Sequence, residues 1–131
     1  MTRSVYLDSS AIVKLIKAEA GSLALVDYLD ASMQCSTSAI SSVEVVRALR
    51  RSRVPLAEID DAMRGFFLIG LDAEISEIAG QAGPHVVRSL DAIHLASALG
   101  IGDESLEFVT YDDRLAAAAR DNGLRVVQPG R

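Results

Sequence analysis

Short apolar runs alternate with longer stretches of helical periodicity along the chain, beginning at Val5-Tyr6-Leu7. Apolar runs that are bounded by turn residues predict strands. These runs occupy residues 5–7, 33–36, 66–69, 106–110 and 125–127. Apolar residues that recur every three or four positions predict helices between the strands. The predicted helices run from 9 or 10 to before 21, and over 22–30, 39–52, 58–64, 72–79, 89 to about 100 or 102, and 112–122.

This alternation of strands and helices predicts the fold class. Five strands separated by helices indicate an α/β domain with a parallel sheet that is covered by helices on both faces. A chain of 131 residues can form one hydrophobic core. We therefore expect a single domain over residues 1–131.

The predicted helix 39–52 has two different faces. At about 100° per residue, its apolar residues spread over one broad half, and these are Val43, Val45, Val46 and Leu49. The opposite half carries a narrow stripe of Ile40, Glu44, Arg47 and Arg51. We expect the apolar half to pack against the core.

Composition narrows the class of protein. Half of the residues are hydrophobic but aromatic residues are 5% and Trp is absent, so Ala, Val, Leu and Ile must form the core. Cys35 is the single cysteine, and it cannot form an internal disulfide. We interpret it as a buried, inert thiol in a reducing compartment. The sequence contains no run of about 18 apolar residues, so it predicts no membrane helix. We therefore expect a soluble, cytoplasmic protein.

The net charge of −5 argues against a protein that coats nucleic acid nonspecifically. It does not exclude a nuclease, because acidic residues can be present to bind cations. Lys14 and Lys17 are the only lysines, whereas four arginines lie together at positions 47, 50, 51 and 53. Arginine favours bidentate contacts with phosphate.

Acidic residues follow two of the predicted strands. Asp8 comes directly after the first strand, and Asp112 and Asp113 follow the fourth. In a parallel α/β sheet, ligands bind outside the carboxyl ends of the strands. Asp91 lies in the first turn of its predicted helix, and Glu44 lies on the charged stripe of the helix 39–52.

Each acid also has a purely structural interpretation. Asp8 can cap the following helix, Asp91 can interact with the helix dipole, and Glu44 can pair with Arg47 on the helix surface. Together, however, these acids form a set of oxygen ligands without a convergent His or Cys. Such a set suits Mg²⁺ or Mn²⁺. Two such ions, about 3.5–4 Å apart, can stabilise the attacking and leaving oxygens of phosphodiester cleavage.

Five sequence motifs carry a resemblance to a known family. They are Asp8-Ser9-Ser10, Ser42-Val43-Glu44-Val45-Val46-Arg47, Leu90-Asp91-Ala92-Ile93-His94-Leu95-Ala96, Val109-Thr110-Tyr111-Asp112-Asp113-Arg114-Leu115, and Pro129-Gly130. In this order they resemble the motifs of PIN-domain ribonucleases, and more narrowly those of the VapC toxins of type II toxin–antitoxin (VapBC) systems. The resemblance implies a PIN-like sheet in the order 3-2-1-4-5. It also implies Mg²⁺-dependent cleavage of RNA, with Mn²⁺ as a substitute, and inhibition by a cognate VapB-like antitoxin. VapC relatives commonly act as homodimers.

The resemblance also implies the roles of individual residues. Asp8, Glu44, Asp91 and Asp112 correspond to the catalytic and metal-binding acids. Asp8 and Asp91 bind a metal ion directly. Asp112 binds a second ion or orients a water molecule, although sequence alone does not separate it from Asp113.

Glu44 binds an ion directly or through water, and it helps to activate the attacking water. Ser9 and Thr110 lie next to strand ends, where they can hydrogen-bond to the ligands or hold water molecules. Arg47 and Arg51 share the face of Glu44. We interpret them as contacts for RNA phosphate or for acidic residues of the antitoxin, with a solvated surface as the alternative.

The two histidines receive simpler interpretations. His94 follows Asp91 by three positions on the same predicted helix, and we predict a packed histidine rather than a ligand or general base. His85 lies beside Gly83-Pro84 and is predicted to be a loop residue.

Three other functions share some of these features. A haloacid-dehalogenase-type phosphatase would carry a second Asp two positions after Asp8, where this chain has Ser10. A phospho-receiver domain would have paired acids after the first strand and Lys-Pro near the last, where this chain has Gln128-Pro129. A noncatalytic PIN-like module that binds RNA or protein remains the third alternative. The presence of all four acids favours the nuclease.

Overall fold

The computed structural model describes residues 3–131. The strands are β1 (Arg3–Leu7), β2 (Met33–Ser38), β3 (Phe67–Ile69), β4 (Glu107–Val109) and β5 (Arg125–Val127). The α-helices are α1 (Ser9–Ile16), α2 (Ser22–Tyr28), α3 (Ser41–Leu49), α4 (Leu56–Met63), α5 (Ala73–Gln81), α6 (Ser89–Ile101) and α7 (Asp113–Asp121). A short 3₁₀ helix, Arg50–Ser52, follows α3.

The five strands form one parallel sheet in the order β3-β2-β1-β4-β5. This confirms the predicted α/β class and the order 3-2-1-4-5. The chain moves outward from β1 to β2 and β3, then returns to the other side of β1 for β4 and β5. The strand order therefore reverses between β1 and β4, which is where α/β sheets form their ligand crevice. In this pair, Leu7 lies beside Val109, so Asp8 and Thr110 emerge together at the carboxyl edge.

The sheet has a hydrophobic core on each face. Side chains alternate along a strand, and Val5 and Leu7 accordingly pack with α1, α2, α3 and α4 on one face. Tyr6 and Phe108 pack with α6 and α7 on the other face. This explains why the central strand is apolar at three successive positions, Val5, Tyr6 and Leu7, all of which are fully buried.

Helix α6 is buried on most of its surface. Five successive residues after Ile93, from His94 to Ala98, are buried because the helix lies between the sheet and α5. Gly102 adopts a left-handed conformation (φ 72°) at its C-cap, which glycine accommodates without strain. His94 on α6 is therefore held in the interior of the domain, whereas Asp91 in the first turn is only partly buried.

The predicted helix 39–52 is corrected in two respects. Helix α3 ends at Leu49, and the 3₁₀ helix that follows contains Arg51. Val43 was predicted to face the core but is 60% exposed, whereas Val45 and Leu49 are buried. Val45 and Leu49 pack with residues of α1, α2 and α4 in the core, and Val43 lies on the side of the helix that these neighbours do not cover.

Several helix starts also differ from the prediction: α3 begins at Ser41 rather than at 39, and α4 begins at Leu56 rather than at 58. Asp8, rather than Ser9 or Ser10, caps α1, and Arg88 rather than Ser89 occupies the N-cap position of α6 without a side-chain bond. Asp72 caps α5 as predicted, accepting from the Ile75 N–H.

Cys35 is a free thiol that is only partly buried, and burial raises its pKa. Among residues 3–131, no helix is both long and apolar enough to cross a membrane.

Candidate functional site

Asp8 is a buried carboxylate at the switch point of the sheet. It is 3% exposed, and its Oδ1 accepts hydrogen bonds from Ser10 Oγ (2.6 Å) and from the Ala11 N–H (3.0 Å). Its Oδ2 accepts from Thr110 Oγ1 (2.5 Å). The structural interpretation of Asp8 as a helix cap is therefore correct, but the cap fills only part of its capacity. A carboxylate has about four acceptor positions, and these donors occupy three of them.

The hydroxyl groups on Asp8 are oriented by the backbone of the segment after β4. Ser10 Oγ accepts from the Tyr111 N–H (2.9 Å), and Thr110 Oγ1 accepts from the Asp112 N–H (3.1 Å). Each hydroxyl thus directs its proton to Asp8. The predicted contact of Thr110 is present, but Ser10 makes the contact that we had expected of Ser9. Within residues 3–131, no hydrogen bond joins the Ser9 side chain to Asp8, and Ser9 lines a cavity together with Ser10 and Lys14.

Burial destabilises the charged form of Asp8. Desolvation raises the pKa of Asp8, and the hydrogen bonds from Ser10 and Thr110 oppose this effect. Within residues 3–131, no lysine or arginine forms an ion pair with Asp8, Asp91 or Asp112. Within the described residues, Arg88 and His94 therefore offset the charge of Asp91 only from a distance, without forming an ion pair with it.

Asp91 and Asp112 lie close enough to repel one another. Partial burial is the main cause of the raised pKa of Asp91, and the negative charges of Asp112 and Glu44 raise it further. Asp91 stands in the first turn of α6, while Asp112 caps α7 by accepting from the N–H groups of Arg114 (2.9 Å) and Leu115 (3.1 Å). Asp91 and Asp112 are 21 residues apart in the chain, and the structure brings these two acids near one another.

Asp113 has a different environment from Asp112. Its Oδ1 pairs with Arg131 Nη1 (2.8 Å), and its side chain is 79% exposed. Asp112, in contrast, donates its backbone N–H to Thr110, and its negative charge raises the pKa of Asp91. The geometry therefore favours Asp112 as the residue that acts with Asp8 and Asp91.

Glu44 reaches the site from α3, and His94 holds its side chain. His94 Nε2 lies 2.7 Å from Glu44 Oε1, and His94 Nδ1 lies 2.6 Å from the hydroxyl of Tyr6. The Tyr6 oxygen also accepts from the Ser38 N–H (3.0 Å). His94 is 1% exposed, which confirms that it is a packed histidine. The surface pair of Glu44 with Arg47 is not among the ion pairs of residues 3–131.

Sequence reasoning did not identify the hydrogen bonds of Tyr6. In the sequence, Tyr6 occupies an apolar strand position. In the structure, its ring stacks on Phe108 with centroids 5.2 Å apart. A tyrosine at the centre of a buried strand nevertheless needs a partner for its hydroxyl. That requirement was the available signal, but the sequence alone could not say that the partner is His94.

The arginines of the charged stripe remain at the surface. Arg47 lies in the last turn of α3 and Arg51 in the 3₁₀ helix, and both side chains are exposed. Neither guanidinium is among the ion pairs of residues 3–131. His85 is exposed in the connection between α5 and α6, as predicted.

A cavity of about 540 Å³ adjoins Asp91 and Asp112, although neither Asp8 nor Glu44 lines it. Asp91, Asp112 and Asp113 line it together with Arg88 and Arg114. The cavity offers space for a ligand beside the carboxylates, with positive charge at the same surface. Such a combination of acids and arginines suits a phosphate group that is bound with a metal ion.

The acids have the donor chemistry of a magnesium site. Within the part of the chain that the structure describes, no three side chains of the His, Cys, Asp and Glu types are close enough to enclose an ion. Mg²⁺ does not require such an enclosure, because it usually keeps several waters and binds through one or two carboxylates together with substrate phosphates. The unfilled acceptor position of Asp8 and the repulsion between Asp91 and Asp112 both fit a divalent cation.

Comparisons with known proteins identify relatives over almost the whole chain. The PIN domain family matches residues 5–121. Ribonuclease VapC46 of Mycobacterium tuberculosis (strain ATCC 25618 / H37Rv) is 39% identical over 134 residues, covering 96% of this chain and 98% of the relative. Ribonuclease VapC35 of Mycobacterium tuberculosis (strain CDC 1551 / Oshkosh) is 40% identical over 132 residues, covering 97% and 98%.

Solved structures share the fold at low sequence identity. A toxin–antitoxin complex from Klebsiella pneumoniae contains a chain with a TM-score of 0.73 and 19% identity, covering 94% of this chain and 95% of that chain. VapC20 of Mycobacterium tuberculosis, described as a sarcin–ricin loop cleaving toxin, has a TM-score of 0.67 and 17% identity, covering 87% and 94%. These likenesses show the arrangement of strands and helices. Together with the sequence relatives, they show that this chain belongs to the PIN-domain family and, within it, to the VapC ribonucleases.

Proposed function

We propose that this protein is a Mg²⁺-dependent endoribonuclease toxin whose Asp8, Glu44, Asp91 and Asp112 form the catalytic and metal-binding site. The observation that carries the proposal is the set of carboxylates near the strand switch point, among which Asp8, Asp91 and Asp112 form no ion pair with Lys or Arg within residues 3–131. The ribonuclease relatives support the choice of RNA as the substrate. Mn²⁺ is expected to replace Mg²⁺, since both prefer oxygen ligands.

Each residue of the site contributes a distinct part of the reaction. Asp8 and Asp91 would bind an ion directly, and Asp112 would bind a second ion or orient a water molecule. Glu44 would bind an ion directly or through water and would help to activate the attacking water. A bound divalent ion supplies polarisation of the scissile phosphate and lowers the pKa of the attacking water. Thr110 and Ser10 keep Asp8 in a single orientation, which reduces the reorganisation needed during the reaction.

The partners follow from the same assignment. We propose that the protein works in the cytoplasm as a homodimer and that a VapB-like antitoxin inhibits it. The solved relatives that share the fold include toxin–antitoxin complexes, among them VapBC2 from Rickettsia felis bound to a DNA fragment from its promoter. Arg47 and Arg51 are the proposed contacts for RNA phosphates or for acidic groups of the antitoxin.

Cleavage of RNA should depend on both the metal and the acids. Purified protein is expected to cut labelled transfer-RNA or ribosomal-RNA fragments with Mg²⁺ or Mn²⁺, and to stop when EDTA is added. Asp8→Asn, Asp91→Asn and Asp112→Asn should each lower the rate by about 100-fold or more, a loss typical of removing one group that stabilises a transition state. Denaturing gel electrophoresis measures the products.

Asp113→Asn is the matched control, because Asp113 is adjacent in sequence but pairs with Arg131. It should retain activity within a few-fold of the parent protein. Cleavage that persists in EDTA, or equal activity of parent and Asp91→Asn, would contradict the proposed site. No cleavage of any fragment would favour the noncatalytic binding module.

Without metal, the protein should become less stable as the pH rises. The pKa values of Asp8 and Asp91 are raised in the folded state. The stability that these groups contribute is complete below their unfolded pKa of about 4 and is lost as the pH rises through the folded values. In EDTA, the melting temperature of Asp91→Asn should therefore decrease less than that of the parent as the pH is raised from about 3.5 to 7.5.

Magnesium should reverse this loss at pH 7.5. An ion that binds only the folded protein at 100 times its dissociation constant adds about 2.7 kcal/mol to the free energy of unfolding. Differential scanning fluorimetry should show a rise of several degrees in the parent and a smaller rise in Asp91→Asn. Identical pH and Mg²⁺ responses in the two proteins would show that Asp91 does not belong to the ion site.

The surface arginines can be tested separately from the acids. Replacing both Arg47 and Arg51 with Ala should raise the KM for RNA or weaken binding of the cognate antitoxin, with thermal stability unchanged, because both side chains are exposed. Arg120→Ala on α7 serves as a charge control. If RNA cleavage and antitoxin affinity both equal those of the control, Arg47 and Arg51 belong to a solvated surface only.

A further inference from the structure

We propose that His94 is a positioning residue that holds the Glu44 carboxylate at the acidic site, through a hydrogen-bond chain that runs from Ser38 through Tyr6 to His94 and Glu44. This inference rests on the proposed function for the role of Glu44. In this role, the buried His94 neither binds a metal ion nor transfers a proton.

We infer that the Tyr6 hydroxyl donates to His94 and that His94 donates to Glu44. The Tyr6 oxygen accepts the Ser38 N–H, and burial raises the pKa of Tyr6, so the hydroxyl keeps its proton. That proton is donated to His94 Nδ1, 2.6 Å away. His94 Nδ1 is then an acceptor, and the proton of a neutral imidazole lies on Nε2. The Nε2–H donates to Glu44 Oε1 at 2.7 Å.

The two rings of this chain have little freedom to move. His94 is 1% exposed, and Tyr6 is fully buried in the central strand. The Tyr6 ring stacks on Phe108 at an interplanar angle of 5° and contacts the His94 ring edge-on at 77°. A donor that is fixed in this way can select one orientation of a flexible carboxylate. The chain therefore transmits the rigidity of the sheet to the Glu44 side chain.

Glu44 needs such a partner because its own position is flexible. Its side chain is 25% exposed on α3, and His94 is the partner that holds it among the hydrogen bonds and ion pairs of residues 3–131. Without that bond, the three rotatable bonds of a glutamate would spread the carboxylate over several orientations. Groups that hydrogen-bond to metal-binding carboxylates commonly orient them and change metal affinity.

The same helix provides both an acid and the group that orients another acid. Asp91 and His94 are three positions apart on α6, and such residues lie on the same side of a helix. Asp91 therefore reaches the site directly, while His94 reaches it by way of Glu44 on α3. A shift of α6 relative to α3 would therefore change the position of Asp91 and the hydrogen bond from His94 to Glu44 together.

Variants of His94 can separate positioning from packing. His94→Leu retains bulk but removes both nitrogens, whereas His94→Gln retains an N–H near the Nε2 position. We expect His94→Leu to lower kcat for RNA cleavage by about 10- to 100-fold with little change in KM, and His94→Gln to stay within about fivefold of the parent. His85→Gln is the matched control, since His85 lies in an exposed loop.

Two further measurements do not depend on RNA cleavage. Isothermal titration of the protein with Mn²⁺ should give an affinity that is weaker in His94→Leu than in His94→Gln. Long-range ¹H–¹⁵N spectra of the unmodified protein should show His94 with its proton on Nε2 and with Nδ1 as an acceptor. The spectra decide the hydrogen-bond chain even if His94→Leu fails to fold.

A double variant tests whether His94 acts through Glu44. His94→Leu should cause no further loss of kcat when Glu44→Gln is already present, because the orientation of the carboxylate no longer matters. The inference is overturned if His94→Gln is as impaired as His94→Leu, if the two losses multiply, or if the Nδ1–H tautomer is observed.

The outcomes distinguish this inference from the proposed function. Normal metal-dependent cleavage with an active His94→Leu variant would reject the positioning role alone. A parent protein that neither cleaves RNA nor binds Mn²⁺ would reject the proposed function, and the positioning role with it.

Discussion

The site depends on a carboxylate that is buried at the end of the central strand. Asp8 loses most of its hydration, which raises its pKa, and three hydrogen bonds replace part of that hydration. Two of these bonds come from Ser10 and Thr110, whose hydroxyls are fixed by the backbone after β4. The pairing of β1 with β4 is therefore needed both for the sheet and for the orientation of Asp8.

The remaining acids extend this arrangement outward from the sheet. Asp91 and Asp112 are supplied by α6 and α7, and the repulsion between them is not balanced by an ion pair within residues 3–131. Such an arrangement is unfavourable for the protein alone and favourable for a bound cation. The repulsion thus lowers the stability of the metal-free protein at the place where a metal ion would bind.

Much of the fold could be predicted from the sequence because its signals are local. Apolar runs separated by helical periodicity gave five parallel strands, and the resemblance to PIN domains gave their order, which the structure confirms. The end of α3 could not be predicted, since the residues from Leu49 to Ser52 are compatible with a continuing helix. Val43 was misplaced because valine at a helix surface looks the same in sequence as valine in a core.

The acids of the candidate site could be predicted from the sequence, but most of the residues that hydrogen-bond to these acids could not. Acids at strand ends leave a pattern in the sequence, whereas the contacts of Ser10 with Asp8 and of His94 with Glu44 depend on tertiary packing. Ser9 and Ser10 are equivalent in sequence, and only the start of α1 decides which hydroxyl faces Asp8. Tyr6 and His94 are 88 residues apart, so their hydrogen bond leaves no local signal.

The central claim is that these carboxylates form a site for a divalent cation. Its most direct test is anomalous diffraction from crystals of the unmodified protein that have been grown or soaked with Mn²⁺ near pH 7.5. We expect an anomalous peak at the carboxyl edge of β1 and β4, in contact with Asp8 and Asp91. A well-diffracting crystal with Mn²⁺ in the solution and no peak at this edge would contradict the account.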